Sequence, residues 1–264
     1  MDSQKNIIIF PGFLQQISAI ILFLILLFPG LALAESKANS SDLPKIIYGG
    51  KLYDNWLALV PEKRRLRLKN VRKTHPSYPK TSKKRGLSTW RCKECHGWDY
   101  KGRDGAYGKG SHYSGIKGVG KFVGGDPKAV VEIIRDSTHK YSKAKIPDED
   151  ALALAKFITE GQIKMDLYID PSTKKAKGVA KRGAPFYQTI CATCHGLDGR
   201  KINFNINQGH EYVGNVASEN PWEALHKIRN GHPGTKMVSM RALTIQQQID
   251  ILTFSQTLPV DPSP

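Results

Sequence analysis

All four cysteines of this 264-residue chain fall in two copies of one short pattern, Cys92-Lys93-Glu94-Cys95-His96 and Cys191-Ala192-Thr193-Cys194-His195. Two thiols three positions apart on a helical turn face the same way, and a histidine directly after the second reaches the centre of whatever the thiols hold. A thioredoxin-like redox pair would lack the histidine and sit in a βαβ pattern, which this sequence does not have. A shared zinc ion needs four ligands gathered into one site, and two separate copies argue against that. Covalent attachment of haem c needs what is present here: each thiol adds to a vinyl group, and the histidine binds iron from one face. Cys92, Cys95, Cys191 and Cys194 are therefore expected to bind two haem c groups, with His96 and His195 as proximal ligands. No cysteine remains for a structural disulfide.

The elements that must position these residues repeat as well. After the first motif come "DPKAVVEIIRDSTHKY" and "IPDEDALALAKFITEG"; after the second come "NPWEALHKIRNGHPGT" and "LTIQQQIDILTFSQTL". Each unit reads as a motif helix, a glycine-rich loop, a middle helix, a short loop and a closing helix, which is an internal duplication. Asp126-Pro127 and Asn220-Pro221 place a capping residue before a proline at the first helical position. Asn220 with Glu223, and Thr244 with Gln247, read as capping boxes. Ile245, Ile249 and Leu252 form an apolar stripe on the second closing helix, and Leu154, Phe157 and Ile158 form one on the first, which Gly161 stops. No segment alternates like a solvent-facing strand, so the fold is expected to be mainly α: two tandem helical domains, each wrapped around one haem. The expected order is a signal peptide over 1–34, a basic extension over 35–84, a first domain over 85–168, a linker over 169–178 and a second domain over 179–260. The aligned Lys84-Arg85-Gly86 and Lys181-Arg182-Gly183 mark the start of each unit.

With the attachment motif, the "IRNGHPGTKM" loop and the closing helix together, the second unit resembles the class I c-type cytochrome family. The first unit resembles it at "CKECHGWDYKG" and over its helices but departs in the ligand loop. The resemblance covers about Lys83 to Pro259 and implies electron transfer through haem. In the second unit, the likeness to a "PGT-x-M" loop favours Met237 as sixth ligand, 42 residues past His195, although Val238 stands where the family has proline. Met240 is its neighbour, and His232 is a weaker candidate. The first unit has no methionine between its motif and its closing helix, and Met165 comes after that helix. His139 lies 43 residues past His96 and is assigned as the opposite ligand, with His112 and His75 as the alternatives. A thioether stabilises reduced iron, so a bis-histidine first haem is expected at lower potential than a His/Met second haem, and electrons are expected to pass from the N-terminal to the C-terminal unit. Trp90 and Trp98 are expected to pack on porphyrin or cover its edge. Arg85 and Arg182 read as surface arginines or as propionate partners.

The N-terminus, one lysine followed by an apolar run from Ile17 to Phe28, Pro29-Gly30 and Ala32-Leu33-Ala34, reads as a secretory signal cleaved after Ala34 rather than a retained membrane anchor. The work of the chain is therefore expected in the periplasm. Forty Lys+Arg against 23 Asp+Glu give +17, concentrated early: residues 35–110 hold 19 basic and 7 acidic residues, against 20 and 15 after them. The basic run "EKRRLRLKNVRK" is either a solvated helix face or a docking surface. The charge fits an acidic redox protein partner or a larger oxidoreductase complex, with transient contact to a membrane complex, and no nucleic-acid recognition motif is present. An electron carrier is the leading reading. The rival is a di-haem oxidoreductase, thiosulfate dehydrogenase-like or peroxidase-like, in which one distal ligand is labile; a thiosulfate dehydrogenase would use a fifth cysteine that this chain lacks.

Overall fold

The computed structural model describes residues 42–205 and 209–260; the expected signal peptide and its cleavage after Ala34 lie outside them. Among the described residues there are no strands, only two isolated β-bridges, Gly102 to Lys117 and Ile169 to Ala176, and no helix is long and apolar enough to cross a membrane. Helix α1 (Leu43–Asn55) has a proline in its first turn, and a short basic turn, α2 (Glu62–Arg65), follows. The first motif forms α3 (Cys92–His96). Helix α4 (Pro127–Arg135) starts as expected: Asp126 accepts from the Lys128 N–H, with proline at the first position. Helix α5 (Asp148–Lys156) opens on three acidic residues, which suit the positive end of its dipole, and continues as a π turn over Phe157–Gly161. In the second half α6 (Ala180–Phe186) runs through a π turn, Tyr187–Cys191, straight into α7 (Ala192–His195). Helices α8 (Val213–Glu219), α9 (Pro221–Asn230) and α10 (Ile245–Ser255) complete the fold. Thr244 and Gln247 make the expected capping box. Asn220 does not, because its amide donates instead to the Glu223 carboxylate at 2.9 Å.

Two helix pairs are built alike. Helix α1 crosses α5, and α6 crosses α10, each at a glycine: a Cβ on Gly49 would lie 2.0 Å from the Ala153 carbonyl oxygen, and one on Gly183 1.9 Å from that of Asp250. Four residues on, Tyr53 packs on Phe157 at 5.4 Å between ring centroids and Tyr187 on Phe254 at 5.2 Å, both at an interplanar angle of 47°. The hydroxyl of Tyr53 donates to the carbonyl of Gly97 at 2.7 Å, and that of Tyr187 to the carbonyl of Gly196 at 3.2 Å. The sequence alignment pairs Arg85-Gly86 with Arg182-Gly183, and here the structure differs. Arg182 makes a two-pronged ion pair with Asp250 on α10, at 2.8 and 3.2 Å, whereas Arg85 donates to the carbonyls of Lys80, Ser82 and Lys84. The counterpart of Gly183 and Tyr187 is Gly49 and Tyr53, inside the segment read as an extension. Residues 56–91 are inserted between that helix and its motif.

The two halves meet across α1 and α9. His226 on α9 is fully buried, ringed by Tyr53, Trp98, Tyr100 and Phe157. Its Nδ1 accepts from the Tyr100 hydroxyl at 2.9 Å, and its Nε2–H donates to the Gly50 carbonyl at 2.9 Å. Arg241 adds bonds to Asn230 at 2.9 Å and to the Gly161 carbonyl at 2.7 Å. Burial, above all, lowers the His226 pKa from 6.5 to about 4. Its folded pKa is depressed, so as pH falls the unfolded chain takes up the proton first. The contribution is whole above about 6.5 and is lost progressively down to about 4. A shift of this size corresponds to about 3 kcal/mol. Scanning calorimetry across this window is expected to show the midpoint of the wild type falling more steeply than that of His226→Gln, which keeps a donor for Gly50 without titrating. Parallel profiles would remove His226 as the acid-sensitive group.

Candidate functional site

The first motif opens onto a cavity of about 390 Å³. Cys92, Cys95 and His96 line it from α3, His139 from the loop after α4, and Ile116, Val119, Phe122, Val130, Ile134 and Leu154 make its wall apolar. His96 Nδ1 donates to the Lys117 carbonyl at 2.7 Å, leaving Nε2 with its lone pair. His139 Nδ1 is bound by Asp136 Oδ1 at 3.1 Å, which leaves its Nε2 equally free. The two rings face each other with centroids 6.2 Å apart and 26° between planes. The 6.2 Å between centroids leaves room for one metal ion between the two imidazoles. A carbonyl on one histidine and a carboxylate on the other are the outer partners that orient metal-binding imidazoles. The donor set and the apolar wall therefore fit a haem.

Burial dominates the electrostatics of this cavity. It lowers the pKa of His96 to about 4, so the ring is neutral and able to donate its lone pair. It pushes the thiols of Cys92 and Cys95 up to about 12. Reactive thiol pairs of the redox kind have depressed pKa values in electropositive surroundings, the reverse of this setting. Among the described residues no group of three or more His, Cys, Asp and Glu side chains gathers to hold a metal ion. Gly97, directly after the histidine, has φ +77°, and its second-motif counterpart Gly196 has φ +81°, a backbone region where only glycine is unstrained.

The second motif is more open. Cys191 is half-buried, Cys194 is exposed, and the apolar side chains of Ile190, Leu197, Ile202 and Phe204 lie exposed in and after the motif. His195 packs against Phe204 at 5.8 Å, and its buried Nδ1 has no hydrogen-bond partner among the described residues. Burial, then the nearby charge of His232, lowers the His195 pKa. Met237 is half-buried in the loop between α9 and α10, its N–H bound by the Thr235 hydroxyl at 3.2 Å. That loop packs on the first half: a Cβ on Gly231 would lie 2.9 Å from Lys51, and one on Gly234 3.0 Å from the Ala58 carbonyl. Met240, also half-buried, donates its N–H to the Ile228 carbonyl, and the His232 ring bonds the Pro233 carbonyl. An apolar rim beside two accessible thiols fits an apolar macrocycle.

Of the other candidates, His112 turns away, bound to Glu94 at 2.9 Å and stacked on Tyr107, and does not line the cavity. His75 lines it, but both ring nitrogens are engaged by backbone groups. Met165 is buried elsewhere. Trp90 and Trp98, expected against porphyrin, do not line the first cavity either. Trp90 packs on His75 and Tyr141, and Trp98 lies fully buried between the Lys93 and Lys227 ammonium groups and His226. Arg182 and Arg85 are held by the partners described above. Sequence reasoning missed Tyr53, Tyr187 and His226. The first two carry a signal that was available, the spacing Gly-x-x-x-Tyr at Gly49 to Tyr53 and again at Gly183 to Tyr187.

Residues 180–259 match the cytochrome c family model. The chain thus contains a cytochrome c domain, which implies covalently bound haem c and points to electron transfer. No curated protein and no solved structure matches this chain.

Proposed function

We propose that this chain is an exported, periplasmic di-haem c-type cytochrome that passes single electrons between redox partners. The observation that carries this reading is the first cavity, where His96 and His139 face each other at 6.2 Å beside Cys92 and Cys95. The matched Gly-x-x-x-Tyr helix pairs and the matched Gly97 and Gly196 support one haem per unit. Cys92 and Cys95 would hold the first haem, with His96 and His139 on its iron; Cys191 and Cys194 would hold the second, with His195 and Met237. Haem supplies reversible one-electron chemistry at its iron. The chain supplies the bias: two imidazoles favour the oxidised state in the first site, and the Met237 thioether favours the reduced state in the second. Exposed Arg65, Arg67, Arg72, Lys73, Lys80 and Lys83 on the inserted segment offer an acidic partner protein a basic face, and docking of this kind weakens with salt. A shallow cleft bordered by Lys73, Lys140 and Lys145 continues that face to the His139 loop.

Low-temperature EPR with a redox titration tests the reading. Two low-spin species are expected, titrating in two one-electron waves separated by on the order of 100 mV, with the bis-histidine wave lower. Met237→His is expected to lower the upper wave alone. A high-spin first haem in the wild type would favour an oxidoreductase with an open iron.

A further inference from the structure

The inserted segment 56–91 grips the loop that carries His139 through residues that themselves line the cavity. His75, buried, receives the Ser77 N–H on Nδ1 at 3.1 Å, so its proton sits on Nε2, which donates to the carbonyl of His139 at 2.7 Å. One residue earlier, the Ser77 hydroxyl donates to the carbonyl of Thr138 at 2.6 Å. The two successive carbonyls that set the direction of the His139 peptide are thus both held by one short stretch of the insert. That stretch is fixed in turn. The His75 N–H is bound by Thr89 Oγ1 at 2.9 Å, the Gly86 N–H by Thr74 Oγ1 at 3.1 Å, and the Trp90 indole N–H by the Lys73 carbonyl at 2.8 Å. The His75 ring packs edge-on against Trp90 at 4.4 Å, and the Tyr141 hydroxyl donates to the Trp90 carbonyl at 2.7 Å. Trp90 is followed by Arg91 and then Cys92, so a single run of chain positions the attachment cysteines and the histidine on the opposite wall.

From the loop's own side, Asp136 holds His139, through its N–H at 2.7 Å and its Nδ1 at 3.1 Å, and both residues are partly open to solvent. A ligand held by one exposed turn can leave a metal and let an outside molecule take its place. A ligand whose peptide is bound on both carbonyls by such a strap cannot swing without breaking those bonds. We infer that His75 and Ser77 are positioning residues that strap His139 in place and so keep exogenous ligands off the first haem. The inserted segment would then decide between a closed carrier site and an open catalytic one. This rests on ligation of the first haem by His96 and His139.

The test compares wild type, Ser77→Ala, His75→Phe and His75→Gln as full-length haem-loaded proteins, by the rate of carbon monoxide binding to the reduced protein and by EPR of the oxidised one. Loss of each hydrogen bond is expected to speed binding at the first haem about tenfold. His75→Phe should add a high-spin signal with the second haem unchanged. His75→Gln, whose amide reaches the same carbonyl, should behave as wild type; equal opening of His75→Gln and His75→Phe would reduce His75 to packing and overturn its role as a donor. Ser77 is exposed, so Ser77→Ala should fold even if His75→Phe does not, and an unchanged rate in it overturns the strap. A wild type already high-spin at the first haem overturns the ligation beneath the inference, whereas a six-coordinate wild type with inert variants overturns the strap alone.

Discussion

Cys92→Ala with Cys95→Ala is expected to leave one covalently bound haem per chain where the wild type is expected to carry two, as measured by haem absorbance that stays with the polypeptide after acid extraction. Thioether bonds survive extraction, while iron–imidazole bonds do not, so the measurement counts attachment and not pocket binding. Cys191→Ala with Cys194→Ala should also leave one haem, and all four replacements none. The matched family region covers only residues 180–259, so the first motif is where the reading is most exposed to refutation. Unchanged covalent haem in the Cys92/Cys95 variant would make this a single-haem cytochrome with an unloaded cavity beside it. The physical case against that outcome is the cavity itself. It is about 390 Å³, walled by apolar side chains, with two imidazoles facing across it. Apolar side chains that line a cleft of that size gain, against a bound macrocycle, the contacts that water does not give them. Loss of the first haem should therefore also destabilise the helices around it, lowering the midpoint of the Cys92/Cys95 variant below that of the wild type.

What the sequence disclosed was local. The C-x-x-C-H pairs, the Asp126 cap on α4, the Thr244 box on α10 and the stripe Leu154, Phe157 and Ile158 each depend on residues within a turn or two of one another. His139 could be singled out because its offset from His96 nearly matches that of Met237 from His195. What escaped depends on partners far along the chain. Tyr53 acts on Gly97 across 44 residues, and its helix is cut from its motif by an insert that has no equivalent in the second unit, where α6 runs directly into α7. A local identity, Lys-Arg-Gly, then drew the alignment to Gly86, whose would-be Cβ has nothing nearer than 3.6 Å. The identity was real but lacked the contact that gives Gly183 its role. His75 and His226 illustrate the same limit: as letters they are candidate ligands, and only the carbonyls of His139 and Gly50 show them to be donors. Asn220 fails as a cap because it turns its amide nitrogen, a donor, to the Glu223 carboxylate, and its oxygen takes no backbone N–H of the first turn.

That contact leads to the second large effect. Gly49→Val is expected to destabilise the protein by about 3–4 kcal/mol, since overpacking against rigid atoms lies at the upper end of core substitutions. The added Cβ would sit 2.0 Å from the Ala153 carbonyl oxygen, 2.7 Å from the Ala153 carbonyl carbon and 2.7 Å from the Phe157 Cβ. None of these is the end of a flexible side chain, so α1 must move away from α5. The move separates Tyr53 from Phe157 and pulls its hydroxyl from the Gly97 carbonyl, next to His96. Gly50 leaves no escape on the other side, because a Cβ there already meets the Asn230 amide that Arg241 holds. At about 2–4 °C per kcal/mol for a chain of this size, the midpoint should fall by roughly 10 °C. Gly183→Val should cost as much, with its Cβ 1.9 Å from the Asp250 carbonyl oxygen. Gly120→Ala, whose nearest neighbour is 3.9 Å away, should be close to neutral. The two valine variants part company in the spectrum. Gly49→Val should perturb the species assigned to His96 and His139, and Gly183→Val the one assigned to His195 and Met237, because each glycine seats the tyrosine that braces its own motif. A Gly49→Val protein as stable as the Gly120→Ala control would show that α1 is no part of the first unit.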